Sequence, residues 1–125
     1  MAVSIQSFFE HYASALMSYS AEKISACYQT PLAIYSDQGI RFVNQMPEIV
    51  SFWKEAVKPY AAQKIQKAIP EILSGEQLSK SIFISKVRWN NVNASGAAVM
   101  TETNFYILSE KDNELKISGL IIMNK

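Results

Sequence analysis

Cysteine and histidine are nearly absent from this 125-residue chain: Cys27 and His11 are each the only one of their kind. One cysteine excludes an intrachain disulfide framework and a cysteine-rich zinc site, and one histidine excludes multi-histidine metal centres. Neither a metal nor a cofactor is therefore expected. Only four glycines occur, and none falls in a GxGxxG or P-loop pattern, so no phosphate-cradling loop is legible. No Ser/His/Asp set can be assembled either. Basic clusters are also missing, with twelve Lys+Arg balanced by eleven Asp+Glu. A nucleic-acid partner is not expected, because affinity for phosphate backbones needs a basic stripe. The opening stretch MAVSIQSFFEHYASALMSYS has no basic n-region and is interrupted by Glu10 and His11. It reads as neither a signal peptide nor a spanning helix, so a soluble, cytoplasmic protein without a membrane partner is expected.

What is present is apolar. Hydrophobic residues make up 49% of the chain and charged residues 18%, the latter below the roughly one quarter usual in soluble domains. Part of the apolar surface is therefore expected to meet a partner. The length suits one domain over residues 1–125, with a single core.

Periodicity orders the elements. Ile5, Phe8, Phe9, Tyr12, Ala13 and Leu16 recur at helical spacing over 4–18, with Ser4 as N-cap. A second helix is predicted over 21–28, capped by Ser20 and stopped at Thr30-Pro31. Strands 32–36 and 40–43 flank Asp37-Gln38-Gly39, a hairpin signal. A third helix opens at Pro47 with Glu48 in its first turn, carries Ile49, Phe52, Trp53, Ala56 and Tyr60 inward, and is predicted to break near Pro59. Residues 64–73 fit either a helix or an irregular strand, and Pro70 favours an edge strand. Strand-like runs follow over 81–90, 96–109 and 114–124. Asn93-Ala94-Ser95 matches a glycosylation acceptor and reads as a polar turn.

The last two runs contain Phe105-Tyr106-Ile107-Leu108 and Leu120-Ile121-Ile122-Met123, apolar on both faces, as in strands covered on both sides. Three helices cover only the concave face, so a homodimer through the outer sheet face is expected. The fold class is α+β: a cone of helices on a curved, mainly antiparallel sheet, in the order α-α-β-β-α-β-β-β-β.

This order, with HYASALMSYSAEKISACYQTPLAIYSDQG at the front and NFYILSEKDNELKISGLII at the back, resembles the nuclear transport factor 2-like superfamily over essentially the whole chain. The resemblance implies a fold but not one function, because the superfamily includes ketosteroid isomerase, polyketide cyclases, dehydratases and binding domains. Tyr12-Ala13-Ser14-Ala15-Leu16 matches the isomerase pattern whose tyrosine donates to an oxyanion. The positions of the general base and of the second, protonated acid are matched by Ser36 and Thr103. Neither hydroxyl serves unaided as a base, so isomerase chemistry is not expected. Asp37 and Glu102 lie one residue from those positions, and a one-residue slip exchanges the faces of a strand. Both carboxylates are expected to point away from the cone, Asp37 into its turn and Glu102 to the dimer side. The dehydratase branch leans on a histidine pair, and His11, beside inward Tyr12, is expected to face solvent.

Trp53, Phe9, Phe42 and Phe105 fit either an aromatic cage or plain core, and Lys86, Arg41 and Arg88 fit either an anion-greeting rim or a wet strand edge. The expected function is a binding or accessory domain with an apolar pocket for a small hydrophobic or aromatic molecule, lined by Phe9, Tyr12, Ile34, Ser36, Trp53, Thr103 and Phe105. A small isomerase, cyclase or dehydratase using Tyr12 with Asp37 or Glu102 is the alternative from another class, and a protein-interaction module is a third.

Overall fold

The computed structural model describes residues 4–123. Three helices, α1 (Ile5–Met17), α2 (Ala21–Ser25) and α3 (Met46–Ala62), accompany six strands. The strands are β1 (Tyr28–Ser36), β2 (Gly39–Val43), β3 (Lys67–Gln77), β4 (Ile82–Val92), β5 (Ala98–Lys111) and β6 (Glu114–Ile122). They form one open sheet in the order β2-β1-β6-β5-β4-β3. All pairs are antiparallel except β1 with β6. The α+β class, the element order and the C-terminal meander agree with the sequence reading.

Caps fix where the helices start. Ser4 Oγ accepts the Ser7 N–H at 3.2 Å and Ser20 Oγ the Lys23 N–H at 3.2 Å, each satisfying a donor that the first helical turn leaves orphaned. The Glu48 carboxylate reaches back to the Gln45 N–H at 3.2 Å, opening α3.

Three boundaries differ from expectation. α2 ends at Ser25, not at 28, and Tyr28 already belongs to β1, opposite Ile117 of β6. The Ile117 N–H donates to the Cys27 carbonyl at 2.8 Å, so pairing across the sheet overrides a helical pattern that placed Tyr28 on the same inner side. Thr30-Pro31 lies within β1 and is cis. Pro59 does not break α3, which runs on to Ala62. Glu55, whose carbonyl loses its helical donor to the proline, is exposed to water. The last turn is held by the Gln63 N–H to Pro59 O and the Ile65 N–H to Tyr60 O. Residues 67–77 form the edge strand β3, with Pro70 inside it.

The sheet alternates strictly where it matters. In β4, Phe83, Ser85, Val87, Trp89 and Asn91 are buried, while the residues between them are half-buried or exposed. The inner set packs under α1, whose Phe8, Phe9, Tyr12, Ala15 and Leu16 are buried. Cys27 joins this core, and burial pushes its thiol up to about 11, so it is an unreactive packing residue. The β5–β6 turn uses Asp112 and Asn113 with φ of 55° and 65°. Asp and Asn tolerate that left-handed pair better than other side chains, and it matches the twist of a two-residue hairpin. At the 93–97 turn, Asn93 Oδ1 accepts the N–H groups of Ser95 and Ala97 at 3.0 and 3.1 Å, the polar turn expected there.

Candidate functional site: a tyrosine-lined cleft

Between α1, α3 and the inner face of β4–β6 lies a cleft of about 270 Å³. Its walls carry Tyr12 from α1, Tyr28 from β1, Trp53 and Tyr60 from α3, Trp89 from β4, and Glu102 and Tyr106 from β5, with Leu16, Leu120 and Ile122 as aliphatic floor. Helical spacing turns Trp53, Ala56 and Tyr60 to one side of α3, and strand alternation turns Glu102, Asn104 and Tyr106 to one side of β5.

The polar groups fall into three sets. Tyr12 and Tyr28 share a hydrogen bond of 2.6 Å. Trp89 Nε1 donates to Tyr106 Oη at 2.8 Å, and Asn104 Nδ2 donates to it at 3.4 Å. Tyr60 Oη donates to Glu102 Oε1 at 2.6 Å, and Asn91 Nδ2 donates to the same oxygen at 3.2 Å. Asn91 Oδ1 is buried without a partner among the described residues.

A proton count follows from these bonds. A phenol has one proton to give. Tyr106 accepts two bonds and donates none, and in the Tyr12–Tyr28 pair only one of the two protons is used. Two phenolic protons on residues of the cleft wall therefore have no acceptor among the described residues. Loss of water on burial pushes the Tyr106 phenol up to about 12. The phenols of Tyr12 and Tyr28 are also raised by burial, with neighbouring tyrosines adding to it, and burial followed by the nearby Glu102 carboxylate raises Tyr60. All four stay protonated at neutral pH, so each has one proton to donate.

The residues singled out from sequence divide. Tyr12, Trp53 and Glu102 meet in the cleft. Glu102 corrects the expectation that it faces outward: strand register sends it in and sends Thr103 out, opposite Arg88. Thr103 lies with Leu73, Lys86 and Arg88 on the outer groove, whose lining Glu102 also reaches, and Phe105, opposite Lys86, is on that same face. Neither lines the cleft. Phe9 is fully buried core, edge-on to Tyr106 with centroids 4.9 Å apart. Ile34 lines a separate small hollow with Val43 and Ile49. Ser36 sits beside Asp37 and Ile122, outside the cleft, where its Oγ accepts the Gln38 N–H at 3.2 Å. Asp37 is exposed in its turn and His11 is exposed on α1. Phe42 is 66% exposed and forms no cage. Arg88 pairs with Glu71 at 3.5 Å on the outer face, as a wet strand edge does.

Sequence reasoning missed Tyr28, Tyr60, Trp89 and Tyr106 as cleft residues. For Trp89 the available signal was the alternation of β4, which puts it on the face of Phe83 and Val87, whereas Tyr106 joins that face only through pairing with β4. Chemically, the cleft offers donors to a carbonyl or other acceptor and one carboxylate. Glu102 is bonded to Tyr60, not to the Tyr12–Tyr28 pair. Among the described residues no three of His, Cys, Asp and Glu converge as metal ligands, and no helix is long and apolar enough to cross a membrane.

A family model described as NTF2-like protein (DUF6841) matches residues 3–125. A Nostoc punctiforme domain of unknown function with a cystatin-like fold superposes with a TM-score of 0.72 at 16% identity, covering 97% of this chain and 75% of that one. An NTF-2 like protein of unknown function from Shewanella oneidensis gives 0.70 at 16% identity, covering 94% and 93%. A putative calcium/calmodulin-dependent protein kinase type II association domain from Thiobacillus denitrificans gives 0.72 at 8% identity, covering 99% and 98%. No protein with a curated description matches.

Proposed function

This chain belongs to the NTF2-like family DUF6841, and from that premise we propose that it is a binding domain whose cleft holds a small, largely apolar molecule carrying a hydrogen-bond acceptor. The observation that supports this reading is the pair of unused phenolic protons, one from Tyr12–Tyr28 and one from Tyr106, in an aromatic-walled cleft. Mostly apolar walls with a few converging polar groups are the usual make-up of small-molecule sites. A phenol proton without an acceptor is an unmade hydrogen bond, and a carbonyl or hydroxyl on the ligand makes it.

The family's name does not choose among ligands, because this architecture carries unrelated functions. Thermal-shift measurements against aromatic ketones, aromatic alcohols and short aliphatic acids test the reading. Binding is expected to raise the melting temperature for the aromatic members. Ala56→Trp, which fills the cleft from its half-buried α3 wall, is expected to fold and to lose that response. Absence of any response in the unaltered protein would overturn the reading.

The chain also pairs with a second copy through the outer sheet face. Support comes from Tyr35, Ile40 and Phe42, which are 37%, 61% and 66% exposed. Ile40 lies opposite Tyr35 in the β1–β2 ladder, Phe42 lies opposite Ala33, and Ile121 flanks Tyr35 from β6, so these side chains form one apolar outer surface.

A further inference from the structure

Glu102 is the one charged side chain on the cleft wall: no Lys, Arg or His lines it, and neither ion pair among the described residues involves Glu102. Both hydrogen bonds to its carboxylate, from Tyr60 and from Asn91, fall on Oε1. Oε2 has no protein donor among the described residues, and it is not sealed from solvent, since the buried unpartnered atoms are Ser25 Oγ and Asn91 Oδ1. A half-buried carboxylate is held charged by donors and by a counter-charge. Here two donors are supplied, and no Lys or Arg bonds to it: Lys86 and Arg88 share only the outer groove with Glu102, and Arg88 is paired with Glu71.

Aromatic side chains share the cleft wall with the Glu102 carboxylate. Trp53, Tyr28 and Tyr12 come from three different elements, with Trp53 and Tyr28 centroids 6.3 Å apart and Tyr12 and Tyr28 centroids 5.9 Å apart. Aromatic faces carry negative charge density and attract cations within about 6 Å of the ring centre. A carboxylate oxygen with a free lone pair and ring faces along one cleft are complementary to a single class of ligand headgroup.

We propose that the cleft selects a small organic cation, a protonated amine on an aromatic or aliphatic body, with its ammonium donating to Glu102 Oε2. This rests on the reading of the cleft as a ligand site and specifies the ligand's charge. The acceptor that the phenols call for lies elsewhere on the same molecule, as in an amino alcohol or amino ketone. An anionic ligand of the same shape is disfavoured because it meets Glu102 with no cation on the wall to offset it.

Three probes of similar size separate the charge: 2-phenylethylamine, which is an ammonium at neutral pH, 2-phenylethanol and phenylacetate, each titrated calorimetrically at low salt. The amine is expected to bind at least tenfold more tightly than the alcohol, and phenylacetate most weakly. In Glu102→Gln, which keeps an oxygen for Tyr60 and Asn91, the tenfold advantage of the amine over the alcohol is expected to vanish. Amine binding no tighter than alcohol binding in the unaltered protein overturns the proposal and leaves the cleft reading standing. An amine preference that survives Glu102→Gln overturns it as well. Failure of all three probes to bind overturns both. The comparison of probes on the unaltered protein does not depend on the variant folding.

Discussion

Four tyrosines decide how the interior responds to alkali. Tyr12, Tyr28, Tyr60 and Tyr106 all have phenols raised above the ordinary 10.0 by loss of water, Tyr106 to about 12. Above pH 10 the unfolded chain releases protons that the folded chain retains, so stability falls as pH rises. Below pH 10 both states hold the protons and the effect vanishes. Each such tyrosine contributes a slope of about 1.4 kcal/mol per pH unit once the unfolded phenol is ionised. Denaturant titrations between pH 8 and 12 are expected to show a plateau to about pH 10 and then a steep loss, with phenolate absorbance of these tyrosines appearing together with unfolding. Their ionisation within a still-folded protein would refute this account of the interior. Of the four, Tyr12 was legible from helical spacing and from its Tyr-x-x-Ala-Leu context. Tyr60 was read as inward without its partner being visible, because Glu102 lies 42 residues away. Tyr28 was read as an inner residue of the second helix, and Tyr106 only as part of an apolar run.

Secondary-structure elements position these residues through register, and there the sequence was readable in kind and not in phase. The β5 run was recognised, but its apolar stretch Phe105–Leu108 has no polar alternation to say which residues face in. Only pairing with β4 settles that Glu102 and Tyr106 share the face of Trp89. That single ambiguity moved Thr103 and Phe105 to the wrong side and Glu102 with them. The edge position of β3 was legible because proline removes a ladder donor. The end of α2 was not, since pairing between β1 and β6 overrides a weak local preference.

The β5–β6 ladder also contains a close approach that makes an element-scale prediction. A Cβ placed on Gly119 would lie 2.8 Å from Ile107 Cδ1 and 3.0 Å from Ile107 Cβ. The second atom is anchored to the backbone and cannot swing away. Gly119→Ala is expected to destabilise by about 1–3 kcal/mol, the usual cost of overpacking, seen as a lower denaturation midpoint with an unchanged slope. Paired with Ile107→Ala, which removes the Cδ1 contact but keeps the Cβ contact, only part of that loss is expected to return. Equal stability of Gly119→Ala and the unaltered protein would contradict the tight β5–β6 pairing.

The molecule as a whole is an NTF2-like cone with two surfaces of different chemistry, an inner cleft of phenols and one carboxylate, and an outer sheet face bearing Tyr35, Ile40 and Phe42. If the outer face joins two copies, Phe42→Asp should shift sedimentation velocity from dimer to monomer without altering far-UV circular dichroism; a monomeric unaltered protein would rule the pairing out. The cone was legible from element order, since three helices and a C-terminal meander leave few ways to cover one sheet face. The cleft's polar groups were not, because they come from α1, β1, α3, β4 and β5, and only the fold brings them together. The central claim, that this cleft is where a ligand sits, is tested most directly by nitrogen-15 NMR during titration with 2-phenylethanol. The chain has two tryptophans, and both line the cleft. The account predicts saturable shifts of both indole N–H signals and of the amides of Tyr12, Tyr60, Glu102 and Tyr106, with Phe42 and Thr103 unmoved; saturable shifts confined to the outer face, with the two indoles still, would contradict it.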